Sequence, residues 1–405
     1  MSNQNKNRYI LVFFLVYIVA LLDKSIRFIL YDFQRSEMYS NWLINYRGGF
    51  MRRGLSGSVI LQISSMFNIS TMLLTNIICA LVWLFVVIFF IIKFIQRRYP
   101  IFILFLPFFI GETILIDPSC CLRKDCFCLM IFIIMLQQFF SRKDLQNEWK
   151  SLFFKINILF VVGILVHEVI FFFAFPVSFF SYYKKNGSLL KTLLFFVPSI
   201  IAFLCCELIS SSATAKEMLR LTPQIEFDCV GYLFTKFYKS FVILWGRINN
   251  PPLWFTLFYL FGWILAVYFV CMNFYKIKID ITKNTEFDHR FLSRILMFQL
   301  LSISPLFCCT WDWGRWMFLW VASSFAYFIM ADTNPFEGKI FEKTDLYHHE
   351  LFQKISKNPI IVFAVAILIN CQYMLPFEKE FFIHSPAFEV LNVISRVIYF
   401  VKDMI

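Results

Sequence analysis

The sequence predicts an all-α, polytopic integral membrane bundle of about 10–12 transmembrane helices, and three observations carry that reading. First, 60% of the 405 residues are apolar and only 16% charged, with a mean hydropathy of +0.69. Soluble domains are nearer about a quarter charged, and no globular interior of this size holds so much apolar surface. Second, the apolar runs are long and continuous, without the alternation of barrel strands. Lipid admits only helices or closed barrels, so these runs are helices. Third, basic residues punctuate the runs in the manner of loops that anchor membrane helices.

A span needs about 20 residues, which places spans near 9–30, 72–95, 100–116, 126–140, 189–209, 252–275, 291–309, 314–331 and 359–376. Tyr9–Leu22 follows a basic start (Lys6, Arg8), but no small-residue cleavage site comes after it, so it reads as a span and not a signal peptide. The apolar stretch 153–182 is interrupted by His167-Glu168, with Pro176 further on. It reads as two short helices meeting near the outer face, because a single span would put Lys184 and Lys185 outside. Gly57–Ile69 is too short and polar to span, and is expected at the interface or re-entering. Residues 387–401 are either a last span or an amphipathic surface helix.

With a cytoplasmic N-terminus, the inner segments collect Arg97-Arg98, Arg142-Lys143, Lys184-Lys185, Lys276, Lys278, Lys283, Lys339 and Lys343, as the positive-inside rule asks. The whole chain, 1–405, then forms one membrane domain with outer loops near 31–71 and 210–251 and a cytoplasmic loop at 332–358. Most Lys fall inside, whereas most Arg fall outside. Arg is a planar fork suited to phosphate and carboxylate, so an outward excess calls for an anionic ligand. The net charge of +12 therefore fits topology and such a ligand better than nucleic acid. Most of the twelve cysteines, among them Cys79, Cys205, Cys206, Cys271, Cys308, Cys309 and Cys371, lie in apolar runs as small hydrophobes rather than in a disulfide framework.

Four constellations carry chemistry. In Tyr46–Gly57, four of the twelve glycines (Gly48, Gly49, Gly54, Gly57) and three arginines (Arg47, Arg52, Arg53) share twelve positions. Glycine allows backbone N–H groups to converge on an anion, and a helix starting after Gly54 would add its N-terminal dipole. The bland alternative is a glycine turn with arginines among lipid headgroups. Asp117 and Arg123-Lys124-Asp125 stand at the outer ends of two spans, where they are either ligands or a mutually neutralising loop. Nearby Cys120, Cys121, Cys126 and Cys128 lack zinc spacing. His167-Glu168 lies in an apolar run, and burying a carboxylate costs several kcal/mol unless partnered. Its alternative is a salt bridge to a neighbouring Arg. In Trp311-Asp312-Trp313-Gly314-Arg315-Trp316, Asp312 and Arg315 share a helix face, and the tryptophans are either an interfacial belt or stacking surfaces for sugar rings.

On this topology all four fall on one side of the membrane, which implies an outward cavity with cations, a few carboxylates and aromatic walls, suited to a lipid-linked phosphate or pyrophosphate bearing sugar. The chain at this point resembles the bacterial O-antigen and capsular polysaccharide polymerases in length, span number, Phe/Ile content and Arg-bearing outer loops. Those enzymes carry Arg and Gly separated by ten residues in a large outer loop, and Arg220 with Gly231 matches in loop 210–251; no second such pair is present.

The resemblance implies a multi-pass protein of the bacterial inner membrane that transfers a growing glycan from undecaprenyl pyrophosphate onto the next lipid-linked repeat in the periplasm, with a chain-length regulator as a further partner. Arg47, Arg52, Arg53 and Arg123 would then clamp the pyrophosphate, with Lys124, Arg220 and Arg315 among the pyrophosphate- or glycan-binding residues. Without an outer carboxylate cluster to hold a divalent metal, fixed cations would do its work, and no cofactor is expected. Glu168, its pKa raised by burial, or else Asp312 would deprotonate the acceptor hydroxyl. His167 would orient it or act as base. Trp311, Trp313 and Trp316 would line the glycan groove. The alternatives are a multi-span glycosyltransferase with a polyprenyl-phosphate-sugar donor, whose acidic residue would be Asp23 or Asp32, a polysaccharide acyltransferase using His167, and a lipid-linked glycan transporter.

Overall fold

The computed structural model describes residues 37–97, 123–140, 145–225, 253–274, 289–309 and 313–331, with positions 361 and 398; the expected spans at 9–30, 100–116 and 359–376, the segment 387–401 and the loop 332–358 lie outside them. The described residues are helical, with no strand among them. In chain order the helices are α1 (Glu37–Trp42), α2 (Gly54–Phe67), α3 (Thr71–Gln96), α4 (Lys124–Phe140), α5 (Leu145–Val166), α6 (Ile170–Phe173), α7 (Phe175–Asn186), α8 (Leu189–Ile209), α9 (Ser212–Leu221), α10 (Leu253–Phe274), α11 (His289–Cys309) and α12 (Trp313–Met330).

Four segments are long and apolar enough to cross a membrane: Thr71–Gln96, Trp149–Val166, Leu189–Ile209 and Arg290–Cys308. At about 1.5 Å per residue, α3 is about 39 Å long and exceeds a hydrocarbon core of about 30 Å. Its surface also fits lipid. Leu73, Ile77, Leu81, Leu84, Ile88, Ile92 and Ile95 recur every three or four residues, and all are exposed. Such a stripe is untenable in water and unremarkable against acyl chains. α12 is the opposite case, buried on all sides except at Arg315 and Met330, and it forms the bundle's axis.

Local sequence sets the helix ends. Ser70, Ser188 and Ser211 cap α3, α8 and α9, each accepting a hydrogen bond from a first-turn backbone N–H. Gly187 ends α7 with φ +70°, the left-handed conformation a C-terminal glycine supplies, and Ser188 restarts the chain as α8. Aromatic rings fill the α5/α7/α8 interface: Phe171 stacks on Phe175 and Phe203, and Phe196 meets Phe160, Phe175 and Phe195 edge-on. A few polar clamps fix the helix register. Asn157 donates to the Phe195 carbonyl and accepts from Ser199, Ser181 bonds Tyr327, and the Trp320 indole donates to the Leu296 carbonyl.

The interruption of 153–182 is where expected: α5 stops at Val166, and His167-Glu168 form the corner before α6. Gly163 makes room for Ile170 across that corner. The Lys185 ammonium at the end of α7 donates to the Phe139 carbonyl at the end of α4, so Lys184-Lys185 lie at the opposite end of the bundle from the α4 N-terminus. Gly57–Ile69 corresponds to α2, which starts three residues earlier, at Gly54. The expected loops 31–71 and 210–251 also contain helix, namely α1, α2 and α9.

Candidate functional site

At one end of the bundle, four chain-distant segments converge on a buried charge network. They are the turn ahead of α2, the first turn of α4, the α5–α6 corner and the first turn of α12. Lys124 and Asp125 stand just ahead of the apolar run 126–140, and His167-Glu168 just beyond α5.

The tightest pair is Arg53 with Glu168. Arg53 Nε lies 2.9 and 2.8 Å from the two carboxylate oxygens, and a terminal guanidinium nitrogen also donates to Oε1. This is the bidentate fork that only Arg offers. Arg53 itself has φ 64° as the N-cap of α2, a left-handed conformation uncommon outside glycine. The backbone is held there partly by Lys124, whose Nζ donates to the Arg53 carbonyl at 3.2 Å and lies over the Trp42 ring.

A second fork mirrors the first. Arg315 Nε and a terminal nitrogen lie 2.8 and 3.0 Å from the Asp125 oxygens, with the guanidinium seated on the Trp316 ring at 5.0 Å. His167 joins the two pairs. Its Nε2 is 3.2 Å from a terminal nitrogen of Arg315 and its Nδ1 is 3.5 Å from Glu168 Oε2. Arg can only donate, so Nε2 accepts from Arg315, while Nδ1 faces both the Val169 backbone N–H at 3.4 Å and the Glu168 carboxylate.

Electrostatics follow from this geometry. Burial pushes the Glu168 carboxyl up, but Arg53 and the His167 hydrogen bond outweigh it and hold the group well below the usual carboxylate range. For Asp125 burial is likewise overcome, by Arg315, His167 and Arg123, leaving it at about 2. Burial, then Arg53, lower His167 to about 4, so it is neutral at pH 7.

Arg52 is placed differently. Its backbone N–H donates to the Ser210 hydroxyl at 2.7 Å. A terminal nitrogen stands 4.0 Å from both Glu168 and Glu207, a residue on the last turn of α8. The contact is looser than either fork, and Glu207 Oε1 accepts no hydrogen bond among the described residues.

The structure therefore joins Arg52, Arg53, Lys124, His167, Glu168 and Arg315 in one network and separates others from it. Arg123, half-buried just ahead of α4, belongs to its edge, its charge helping to lower Asp125; the others stand apart. Arg47 is exposed, donating to the Leu221 carbonyl at 3.4 Å. Together with Ser58, Leu61, Gln62, Ser65 and Met66 it lines a cavity of about 300 Å³. Arg220 is exposed and pairs with Glu217 one turn away; Gly231, Trp311, Asp312 and Asp117 lie outside the described residues. Trp313 and Trp316 are not walls of an open groove: they are 4% and 3% exposed in the core, and the Trp313 indole donates to the Phe307 carbonyl. Arg315 takes Asp125 as its partner. Glu168, expected to be a base raised by burial, is instead a depressed carboxylate locked to Arg53.

The glycine cluster also works by another means. A side chain on Gly48 would meet Met218 N and Thr214 O at 2.5 Å, and one on Gly57 would overlap the Leu43 and Ile44 carbonyls. One on Gly54 would overlap the Tyr46 ring. These glycines let the turn press against α9, the chain before it and Tyr46, which leaves Gly49, at φ +114°, as the member required by backbone conformation.

Sequence reasoning missed Glu207. The signal for Glu207 was available, since it is the only carboxylate in Leu189–Ile209, the same kind of interruption that marks His167-Glu168. Among the described residues no group of three His, Cys, Asp or Glu side chains is placed to hold a metal ion. No family model, curated protein or solved structure matches the chain. Fold and site thus define a class: among the described residues the protein is all-helical, with four helices long and apolar enough to cross a membrane and a buried charged centre at one end.

Proposed function

We propose that the chain is a membrane glycosyltransferase of the polysaccharide-polymerase type. It would join lipid-linked oligosaccharide repeats on the outer face of a bacterial inner membrane. The observation that supports this most is the convergence of Arg52, Arg53, Lys124 and Arg315 at one end of apolar helices. A lipid-linked pyrophosphate presents its charge at that depth while its tail stays in lipid, and fixed cations there stabilise the charge gained by a leaving pyrophosphate. Arg53 and Arg315, each forked to a carboxylate, serve as scaffold. Arg52, 4.0 Å from two carboxylates, is the residue assigned to the phosphate, with exposed Arg47 as a further cation of the same turn.

The reading is tested by deleting the gene in its host and running surface glycan on a gel. A ladder collapsed to lipid core with a single repeat is the expected result, because units are still built and exported but not joined. Loss or shortening of the single repeat would instead assign an earlier step, the polyprenyl-phosphate-sugar transferase or a flippase. An unchanged ladder would end the glycan-assembly reading.

A further inference from the structure

Arg47 shares a turn with Arg52 and Arg53 but faces a cavity outside the charged network. That cavity, of about 300 Å³, is lined by Arg47, Ser58, Leu61, Gln62, Ser65 and Met66, which puts it at the small end of ligand pockets, about 300 to 1,000 Å³. Five of the six lie on one face of α2, recurring at intervals of three and four residues. At about 1.5 Å per residue that row is about 12 Å long. The turn ahead of α2 supplies the sixth. The Tyr46 N–H donates to the Ser58 hydroxyl at 3.0 Å, which seats Arg47 at the Ser58 end of the row. Its backbone is fixed there, since its N–H donates to Asn45 Oδ1 at 3.0 Å. The buried Asn45 amide in turn donates to the Leu43 carbonyl and the Thr222 hydroxyl.

The cavity has a polar half with donors to spare. Arg53, Arg315 and Arg220 each engage a carboxylate. Among the described residues the exposed Arg47 guanidinium meets none, and its one contact is long, 3.4 Å to the Leu221 carbonyl. The Gln62 and Ser65 side chains are exposed as well and make no hydrogen bond among the described residues. Ser58 is a strut, its proton already given to the Gly54 carbonyl. A guanidinium, an amide NH₂ and a hydroxyl are donors suited to phosphate oxygens. The other half is apolar. Leu61 forms a buried floor and Met66 is 69% exposed. After Met66 come Phe67, Ile69 and Leu73, all exposed. Their turn is fixed by Asn68 at φ 52° and by the Ser64 hydroxyl, which donates to the Ile69 carbonyl. Leu73 begins the exposed aliphatic stripe of α3, so the apolar half continues in sequence onto a surface made for acyl chains.

We infer that this cavity is a second anion site, which binds the phosphate of a membrane lipid: Arg47, Gln62 and Ser65 hold the phosphate oxygens, and the lipid's chain leaves over Met66. A free anion would use the donors alone, whereas a lipid uses both halves. Bulk phospholipid and polyprenyl phosphate share this chemistry, a phosphate on an apolar chain. The site does not depend on the glycosyltransferase reading above, which concerns the network at Arg52.

The test is native mass spectrometry of the full chain in detergent, titrated with phosphatidylglycerol, with a polyprenyl phosphate, and with diacylglycerol, which has chains but no phosphate. At least one phosphate lipid is expected to bind, about tenfold or more tighter than diacylglycerol, and the tighter of the two names the source. Arg47→Ala should weaken that binding about tenfold to a hundredfold, the worth of a charge-assisted hydrogen bond. Gln62→Ala and Ser65→Ala should each weaken it about twofold to tenfold. Lys191→Ala removes an exposed charge from the first turn of α8 and should leave it unchanged, which controls for net charge. All these side chains are exposed, and an unchanged Tm checks that each variant folds. Because only binding is read, the result stands whether or not the chain joins glycans. Three results would overturn the inference: no binding of either phosphate lipid, diacylglycerol binding as tightly, or Arg47→Ala behaving like Lys191→Ala. Inorganic phosphate that displaces the lipid at equal concentration would leave a free-anion site and overturn the lipid assignment.

Discussion

Replacing Arg53 by Ala and, separately, by Gly separates what its side chain does from what its backbone does. Both variants remove the fork to Glu168 and leave that carboxylate, 8% exposed, with His167 and a guanidinium at 4.0 Å. Breaking a buried pair from one side costs about 3–5 kcal/mol. For a chain of this size that is a fall of about 4–6 °C in apparent Tm. The Lys124 bond to the Arg53 carbonyl survives both changes, since it engages the backbone. The two variants differ in the left-handed conformation at φ 64°: Ala keeps a strain of about 1–2 kcal/mol, and Gly relieves it at a backbone-entropy cost of about 0.5–1 kcal/mol. Arg53→Gly should therefore melt above Arg53→Ala by a margin equivalent to about 0.5–1 kcal/mol. Adding Glu168→Gln to Arg53→Ala should cost less than the two singles together, with a coupling of at least about 2 kcal/mol. The assay is tryptophan-fluorescence melting in one detergent at one scan rate. A shift under about 1 °C for Arg53→Ala, or additivity in the cycle, would refute the claim that this fork is structural.

Gly48→Ala and Gly57→Ala should abolish the monodisperse peak in size-exclusion chromatography, since each new methyl meets backbone that has nowhere to go. Gly262→Ala, which meets nothing within 4 Å, should leave the peak unchanged; normal folding of the first two would return those glycines to an anion-binding role. Acidification should also destabilise the protein in two stages. His167, lowered to about 4 in the fold from an ordinary 6.5, takes its proton first in the unfolded chain, so stability falls as pH drops from about 6.5 to 4. Asp125, lowered to about 2 from 3.8, adds a loss below that range, because its stabilisation is present above its unfolded pKa and lost as pH falls through the folded one. A series of Tm against pH checks this. His167→Gln should flatten the first stage, and an unchanged curve would contradict the neutral buried imidazole.

The helices were legible because lipid leaves the chain so few choices. Expected spans at 72–95, 189–209, 252–275, 291–309 and 314–331 agree within two residues at each end with α3, α8, α10, α11 and α12. The corner at His167-Glu168 was legible for the same reason, since an ionisable pair in an apolar run must meet partners where it lies. Partner choice was not. Spacing by three places Asp312 beside Arg315 on a helix, but the contact with Asp125 spans 190 positions, and nothing local encodes it. The glycines of Tyr46–Gly57 read equally as an anion cradle or as close packing until α9 is seen pressed on Gly48. Trp313 and Trp316 read as interfacial because tryptophan favours interfaces, yet α12 is enclosed by its neighbours.

Cohesion alone does not account for this network. A buried ion pair stabilises little over apolar side chains of the same volume, and phenylalanine rings such as Phe171, Phe175, Phe196 and Phe203 seal the α5/α7/α8 interface without charge. Yet at one end of the bundle four segments each contribute ionised groups, two forks satisfy each other completely, and a neutral histidine joins them. What the forks hold in place is the turn carrying Arg52 and the corner carrying Glu168, with Arg52 at 4.0 Å from Glu168 and from Glu207. Fixed scaffold charges of this kind are what a preorganised site requires, because groups held beside them can engage a ligand without reorganising.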